Sequence, residues 1–278
     1  MERRVRLAAR ISNLREFRDL VRAMRAIAGS HVQEARDFLP GIRSYSDQIE
    51  NGVVNAIRLC PEAPEKPSGE KKTNNLVLAI CSEHGLSGAY SDRILDKAMA
   101  VLAPQMRLGI IGRRGRLLAE ERGLQIDWSA AMATHTTSVS SLCAEMMEQI
   151  ANFTEVSVIF ARYLLGGRFE VCQQKLLPLD PQIFEGRAVG VLPIHNLQAG
   201  LLLNELTHEY VYSQLMHAIM EAFASENGAR LQLMEAADQN IQEKLQVLAR
   251  HERTMRQEEV TSELLDIVVG AEAVRQHS

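Results

Sequence analysis

The chain is poor in aromatic side chains: Phe, Trp and Tyr make up 5% of 278 residues, with one tryptophan. Ala, Leu, Met, Arg, Glu and Gln are plentiful instead. These lose little rotamer freedom in a helix, so the composition favours helix over sheet. Cysteine is sparse as well. Cys60, Cys81, Cys143 and Cys172 show no CxxC spacing and no nearby His pair, which removes a zinc-type metal site and points to free thiols in a reducing compartment. No apolar run approaches the ~20 residues of a membrane-spanning helix, so direct membrane insertion is not expected. Positive charge is not in excess. A formal net charge of −4 argues against bulk nucleic-acid affinity.

Charge is nevertheless uneven. Arg3, Arg4, Arg6, Arg10, Arg15, Arg18, Arg22 and Arg25 outnumber Glu2, Glu16 and Asp19 near the N-terminus. Such a basic face suits an acidic partner or a membrane surface, or is simply a solvated helix face. The acids among the arginines, and a helical pattern continuing past residue 35, argue against a transit peptide.

Along residues 1–58, apolar or small side chains recur at Leu7, Ile11, Leu14, Phe17, Val21, Met24, Ala28, Val32, Ala35, Leu39, Ile42, Tyr45, Ile49, Val53 and Ala56. Steps of three or four place them on one helical stripe. The implied helix is roughly 80 Å long, interrupted and kinked at Pro40-Gly41. Residues 59–75 hold Pro61, Pro64, Pro67 and Gly69 among charges and read as a linker.

Residues 76–198 change character. Leu76 to Ile80 is a short buried strand, and a turn with Gly85 and Gly88 follows. A helix over 92–102, a strand over 108–111, a short helix after Gly115 and a helix over 138–151 come next. Strands over 156–163 and 171–177 are joined by Gly166-Gly167. This order implies a small, partly parallel α/β domain of Rossmann-like type. Residues 199–278 return to helical periodicity through Val211, Leu215, Ala218, Ala222, Met234, Ala237, Ile241, Leu245, Leu248, Leu264, Ile267 and Ala271. Gly228 lies mid-helix at a cost of about 1 kcal/mol. Two such helices cannot bury their stripes against so small a domain. The fold class expected is α/β: an antiparallel coiled coil of long N- and C-terminal helices with the α/β domain inserted.

Specific motifs then enter. Ser225-Glu226-Asn227-Gly228-Ala229-Arg230, Met234-Glu235-Ala236-Ala237-Asp238-Gln239-Asn240, Arg256-Gln257, Val260-Thr261-Ser262-Glu263-Leu264 and Gly270-Ala271 follow one another in the last helix. Their order and spacing resemble the gamma-subunit family of F-type ATP synthases. Ala23-Met24 with Ile27-Ala28, and the loop Cys81 to Gly88, resemble the family's first helix and its S-x-x-G-L-x-G loop. The resemblance weakens from about residue 120 to 200.

That resemblance implies a non-catalytic rotor shaft, coupling ion-driven rotation of a c ring to ATP synthesis or hydrolysis on beta subunits. The implied partners are three alpha and three beta subunits around the shaft, with the epsilon subunit and the c ring at the foot. The implied setting is peripheral, on the cytoplasmic face of a bacterial inner membrane, with no cofactor. By similarity, Arg256, Gln257, Thr261 and Glu263 would engage catalytic loops of the beta subunits. Met24 and Arg230 would lie near the lever region, and Gly85, Leu86 and Gly88 would touch the bottom of the ring. The bland alternatives are a coiled-coil core position for Met24 and a helix-surface hydroxyl for Thr261.

Glu16-Phe17, Asp19, Arg253 and the segment Leu192 to Asn196 depart from the family pattern. They indicate a divergent lineage, with an alternative, sodium-type ATPase open beside the proton type.

Two further readings fit parts of the sequence. An α/β enzyme would use Cys81 with His84, or Gly112 to Arg116 as a phosphate cradle. However, no third group orients the base, and the P-loop Lys-Ser/Thr is missing. A coiled-coil adaptor explains the helices but neither the inserted domain nor the C-terminal motifs.

Overall fold

The structure, a computed structural model, describes residues 2–59, 74–179 and 196–276; the side chains of 2–4, 263, 266 and 269–276 lie outside the description. The first helix, α1, spans Glu2–Leu59 and the last, α5, spans Ala199–Gln276. Between them run β1 (Asn75–Ile80), α2 (Tyr90–Val101), β2 (Met106–Ile111), α3 (Arg113–Glu121), β3 (Trp128–Ala130), a 3₁₀ turn, α4 (Val139–Ile150), β4 (Glu155–Leu164) and β5 (Arg168–Leu177). The expected linker lies outside the described residues apart from Leu59, Asn74 and Asn75. The departing segment does too, apart from Asn196.

The sheet order is β3-β2-β1-β4-β5, parallel except for the β4–β5 hairpin. All of β1 is buried, as a central strand covered on both faces requires. Leu76, Leu78, Ile80, Val156, Val158 and Phe160 face α4 and the inner parts of α1 and α5; Val77, Ala79, Leu108 and Ile159 face α2 and α3. β3, three residues long, was not legible as a strand. Too few residues carry an alternation there, and its Trp128 is an edge side chain lying on Gly109.

Helix α1 runs through Pro40 without a break, against the expected interruption. Leu39 and Ile42, on either side, are buried in the core, and their packing holds the turn that lacks one backbone donor.

The chain forms two units, Ile27–Leu233 and Met1–Ala26 with Met234–Ser278. In the first, α1 and α5 run antiparallel: residue 31 meets 227, 43 meets 221 and 50 meets 214. Here both helices do bury apolar faces against the sheet, through Ala35, Leu39 and Val53 of α1 and Leu215, Ala218 and Ala222 of α5. The expectation that so small a domain could not cover them was too strict.

In the second unit, Ile11, Val21, Met234, Ile241 and Leu245 are buried together, with Leu7, Leu14, Met24, Ala237 and Leu248 against them. Asp238 accepts from Arg22 at 3.1 Å and pairs with Arg25 at 3.7 Å. Phe17, expected in the stripe, is 53% exposed, and half-buried Arg18 takes its place between Leu14 and Val21. A step from 14 to 18 to 21 keeps to the helix face, and an arginine covers it with its methylene stem. Leu264 and Ile267 are likewise exposed rather than buried.

Candidate functional site

In an open α/β sheet, ligands bind outside the carboxyl ends of the strands, where the strand order reverses. Here that position lies beyond β1 and β4, and the chain fills it with its own side chains. The loop after β1 runs Cys81 to Ala89. Ser82 and Ser91 share a buried hydrogen bond of 2.7 Å between their hydroxyls, closing the loop onto the start of α2. Ser225 of α5 donates to the Ala161 carbonyl at 2.9 Å, seating α5 against β4.

Cys81 cannot serve as a nucleophile. It is buried behind α3, and desolvation pushes its thiol far above the ordinary range, away from the thiolate that would react. His84 is exposed on the same loop. The first amides of α3, which a phosphate would need, are already taken. Arg113 N–H donates to the Glu83 carboxylate at 3.2 Å, and Arg114 N–H to the Ser82 carbonyl at 3.2 Å. Among the described residues no three His, Cys, Asp or Glu side chains are placed to hold a metal.

What occupies the crevice is a buried polar clasp. Glu83 accepts from Arg113 N–H and, at 2.8 Å, from Met132 N–H, and its other oxygen pairs with Arg113 Nε at 2.9 Å. The Glu83 amide donates to Glu226 of α5 at 3.3 Å. Glu226 pairs with Arg230 one turn on at 2.5 Å. Burial pushes the Glu226 carboxyl above its usual range, opposed by the Arg230 guanidinium and the Glu83 and His84 amides. Arg230 also donates to Asn227 Oδ1 at 3.0 Å and reaches the Gly85 carbonyl at 3.4 Å. The Asn227 amide nitrogen donates to the Phe223 carbonyl at 2.9 Å, so its oxygen is the acceptor facing Arg230. His31 Nδ1 lies 3.4 Å from that oxygen. The clasp thus joins α1, α5, α3 and the loop after β1.

The same arrangement sets out the loop tip. Leu86 is 54% exposed and held at φ 63, and Gly88 at φ 61. A leucine in the left-handed region, with its apolar side chain in solvent, is strained without any packing reward, and such residues cluster at functional contacts.

Of the residues singled out in the sequence, Arg230 and Gly85 are brought into contact, with Leu86 and Gly88 on the same loop. Met24 lies half-buried against the apolar cluster of the paired ends. Arg256, Gln257 and Thr261 are exposed on α5 around one open groove, and Thr261 donates to the Gln257 carbonyl at 2.8 Å. The Glu263 side chain lies outside the description. Glu83 and Glu226 were not singled out for a role, and Arg113 only within the phosphate cradle of the enzyme alternative. The available signal was an acid four residues before an arginine, Glu226 and Arg230, next to the apolar and small run Ala222-Phe223-Ala224.

A second buried carboxylate ties α1 to α5. Glu221 accepts from Arg43 at 2.8 Å and from the Tyr163 amide at 3.0 Å, with His217 Nε2 at 3.5 Å. Burial raises its pKa, but His217, Tyr163 and Arg43 together outweigh that and hold it below the usual carboxylate value.

A family model described as ATP synthase matches residues 5–274. The chain is 26% identical over 281 aligned positions to an ATP synthase gamma chain of Lawsonia intracellularis (strain PHE/MN1-00), covering 96% of this chain and 97% of that one. It is 27% identical to an ATP synthase gamma chain of Anaeromyxobacter sp. (strain Fw109-5), again over 96% and 97%. In fold it is similar to a chain of the Tetrahymena thermophila mitochondrial ATP synthase central stalk and c-ring, with a TM-score of 0.58 and 20% identity over 78% of this chain and 99% of that one. A chain of the Euglena gracilis mitochondrial ATP synthase gives a TM-score of 0.54 at 15% identity, over 88% and 95%.

Proposed function

The chain belongs to the ATP synthase gamma-chain family, and from that premise we propose that it is the rotating central shaft of a membrane-bound ATP synthase. The observation that carries this is the match over nearly the whole length, on a fold of two long helices flanking a mixed sheet. In this role it has no catalytic site. Its partners are three alpha and three beta subunits around the helices, with an epsilon subunit and a c ring at the α/β domain. No helix among the described residues is long and apolar enough to cross a membrane, so attachment runs through those partners. Its place is peripheral, on the cytoplasmic face of a bacterial inner membrane.

A shaft turning past equivalent surfaces needs contacts that form and break at each step. Exposed charged and polar groups suit this, because an exposed pair contributes only about 0–1 kcal/mol. Arg256, Gln257 and Thr261, exposed on α5, fit that description and engage the beta subunits' catalytic loops together with Glu263. The Gly85–Leu86–Gly88 tip touches the bottom of the ring, supported by the strained and exposed Leu86. Arg230 acts in the lever region from beneath that tip, and Met24 serves the same lever region from α1.

Affinity purification of the tagged chain from its native membranes, with mass spectrometry and stoichiometry, tests this reading. One copy with three alpha and three beta subunits is expected. A chain recovered alone, or as a homodimer, would replace the shaft with a coiled-coil adaptor. A truncation removing Glu259 onward is expected to weaken assembly and torque. Unchanged ATP hydrolysis, unchanged sensitivity to c-ring blockers and unchanged ion pumping would remove the roles given to Thr261 and Glu263.

A further inference from the structure

Glu83 has two anchors, and they point to different elements. Its amide donates to Glu226 on α5, while its carboxylate closes on the first turn of α3 through Arg113 and on Met132 beyond β3. The residue is buried at the start of a loop tip whose His84, Gly85, Leu86 and Gly88 are exposed and whose Ser87 is buried. Two residues on, the Gly85 carbonyl lies against Arg230, itself held by Glu226 and Asn227. The tip therefore leaves the domain from a fixed point, and its strained Leu86 is carried on a base tied to α5, α3 and, through His31, α1.

We propose that Glu83 is a positioning residue for rotary coupling: its carboxylate rivets the base of the 84–88 tip to α3 and to Met132, while the backbone of the same loop holds to Glu226 and Arg230 of α5, so that tip and helix turn as one body. The proposal rests on the reading that this tip meets the catalytic head. Without the rivet the chain still folds and assembles, but rotation of α5 is lost in flexing of the tip.

Glu83→Gln is the direct test. One amide oxygen still accepts from the Arg113 and Met132 N–H groups, while the amide NH₂ turns donor against donor toward the Arg113 guanidinium. Arg113→Gln is the second variant, because its side chain is 73% exposed and its loss leaves the buried carboxylate in place. Each is made in the complete complex, with Cys60 and Cys172 replaced by Ser and a nitroxide on His84→Cys. Two quantities are read: nitroxide mobility, and ions pumped per ATP hydrolysed.

The expected result is a more mobile label together with a fall in the pumping-to-hydrolysis ratio of about two- to thirtyfold, with hydrolysis itself retained. A label as immobile as in the parent would overturn the positioning role and leave the tip's contact with the head standing. A mobile label with an unchanged ratio would overturn both, because a loose tip would then cost nothing in coupling.

Discussion

Gly115 sits inside α3, where alanine would ordinarily be the better residue by about 1 kcal/mol. In the fold it lies on Cys81. A methyl group built on Gly115 would come within 2.1 Å of the Cys81 Cβ and 2.7 Å of its sulfur. A Cβ cannot rotate away from its own backbone. The two segments must therefore separate by about 1.3 Å to reach an ordinary contact of 3.4 Å. Overpacking of this kind costs about 1–3 kcal/mol, and rigid atoms on both sides place it at the upper end. Gly115→Ala is thus expected to destabilise the sheet unit by about 2 kcal/mol net of the helix gain. Trp128, the one tryptophan, lies in β3 of that unit. Its fluorescence in a urea titration of the full chain follows this unfolding, and the midpoint should fall by about 1 M. The partner is identified by a double substitution. Cys81→Gly removes both clashing atoms and should recover more than about 1 kcal/mol as non-additive coupling, whereas Cys81→Ala keeps the Cβ and should recover little. A Gly115→Ala chain more stable than the parent, or equal rescue by Cys81→Ala, would refute the reasoning.

Gly228→Ala should likewise fail to yield the stabilisation its mid-helix position promises, because the added methyl meets the Tyr163 ring at 2.7 Å and the Gly167 Cα at 3.2 Å. Local hydrogen exchange at the β4–β5 turn should speed up; unchanged exchange with a higher midpoint would count against the contact. Glu221 gives a pH signature. Its folded pKa lies below the ordinary 4.5, so its stabilisation is present above that value and is lost as pH falls from there through the folded pKa. Glu221→Gln should flatten the acid limb of stability by up to about 1.4 kcal/mol per pH unit. Glu226, shifted upward by burial, contributes with the opposite sign, gaining stability on acidification. A midpoint-against-pH series on the Glu221 variant that matches the parent's slope below pH 4.5 would remove Glu221 from the account.

Periodicity determined the two long helices and the order of strand, helix and hairpin between them, because a buried stripe must repeat with the geometry of its own element. The motifs around Arg230 and Thr261 carried the family. Burial did not follow from the pattern. Phe17 is exposed because the covered face steps from Leu14 through Arg18 to Val21, and Ile267 is exposed because an apolar position presents the same pattern whether or not anything covers it. Pro40 read as a break because the local cost of a missing donor is visible in sequence, while the compensating contacts of Leu39 and Ile42 are not. The two glycines show the same division. Gly115 and Gly228 are local losses that only the close approach of Cys81 and Tyr163 explains. The clasp was hidden for a related reason. Glu83, Arg113, Met132 and Glu226 come from four separate elements, and a buried carboxylate is identified by the amides that converge on it in space, which no linear spacing records.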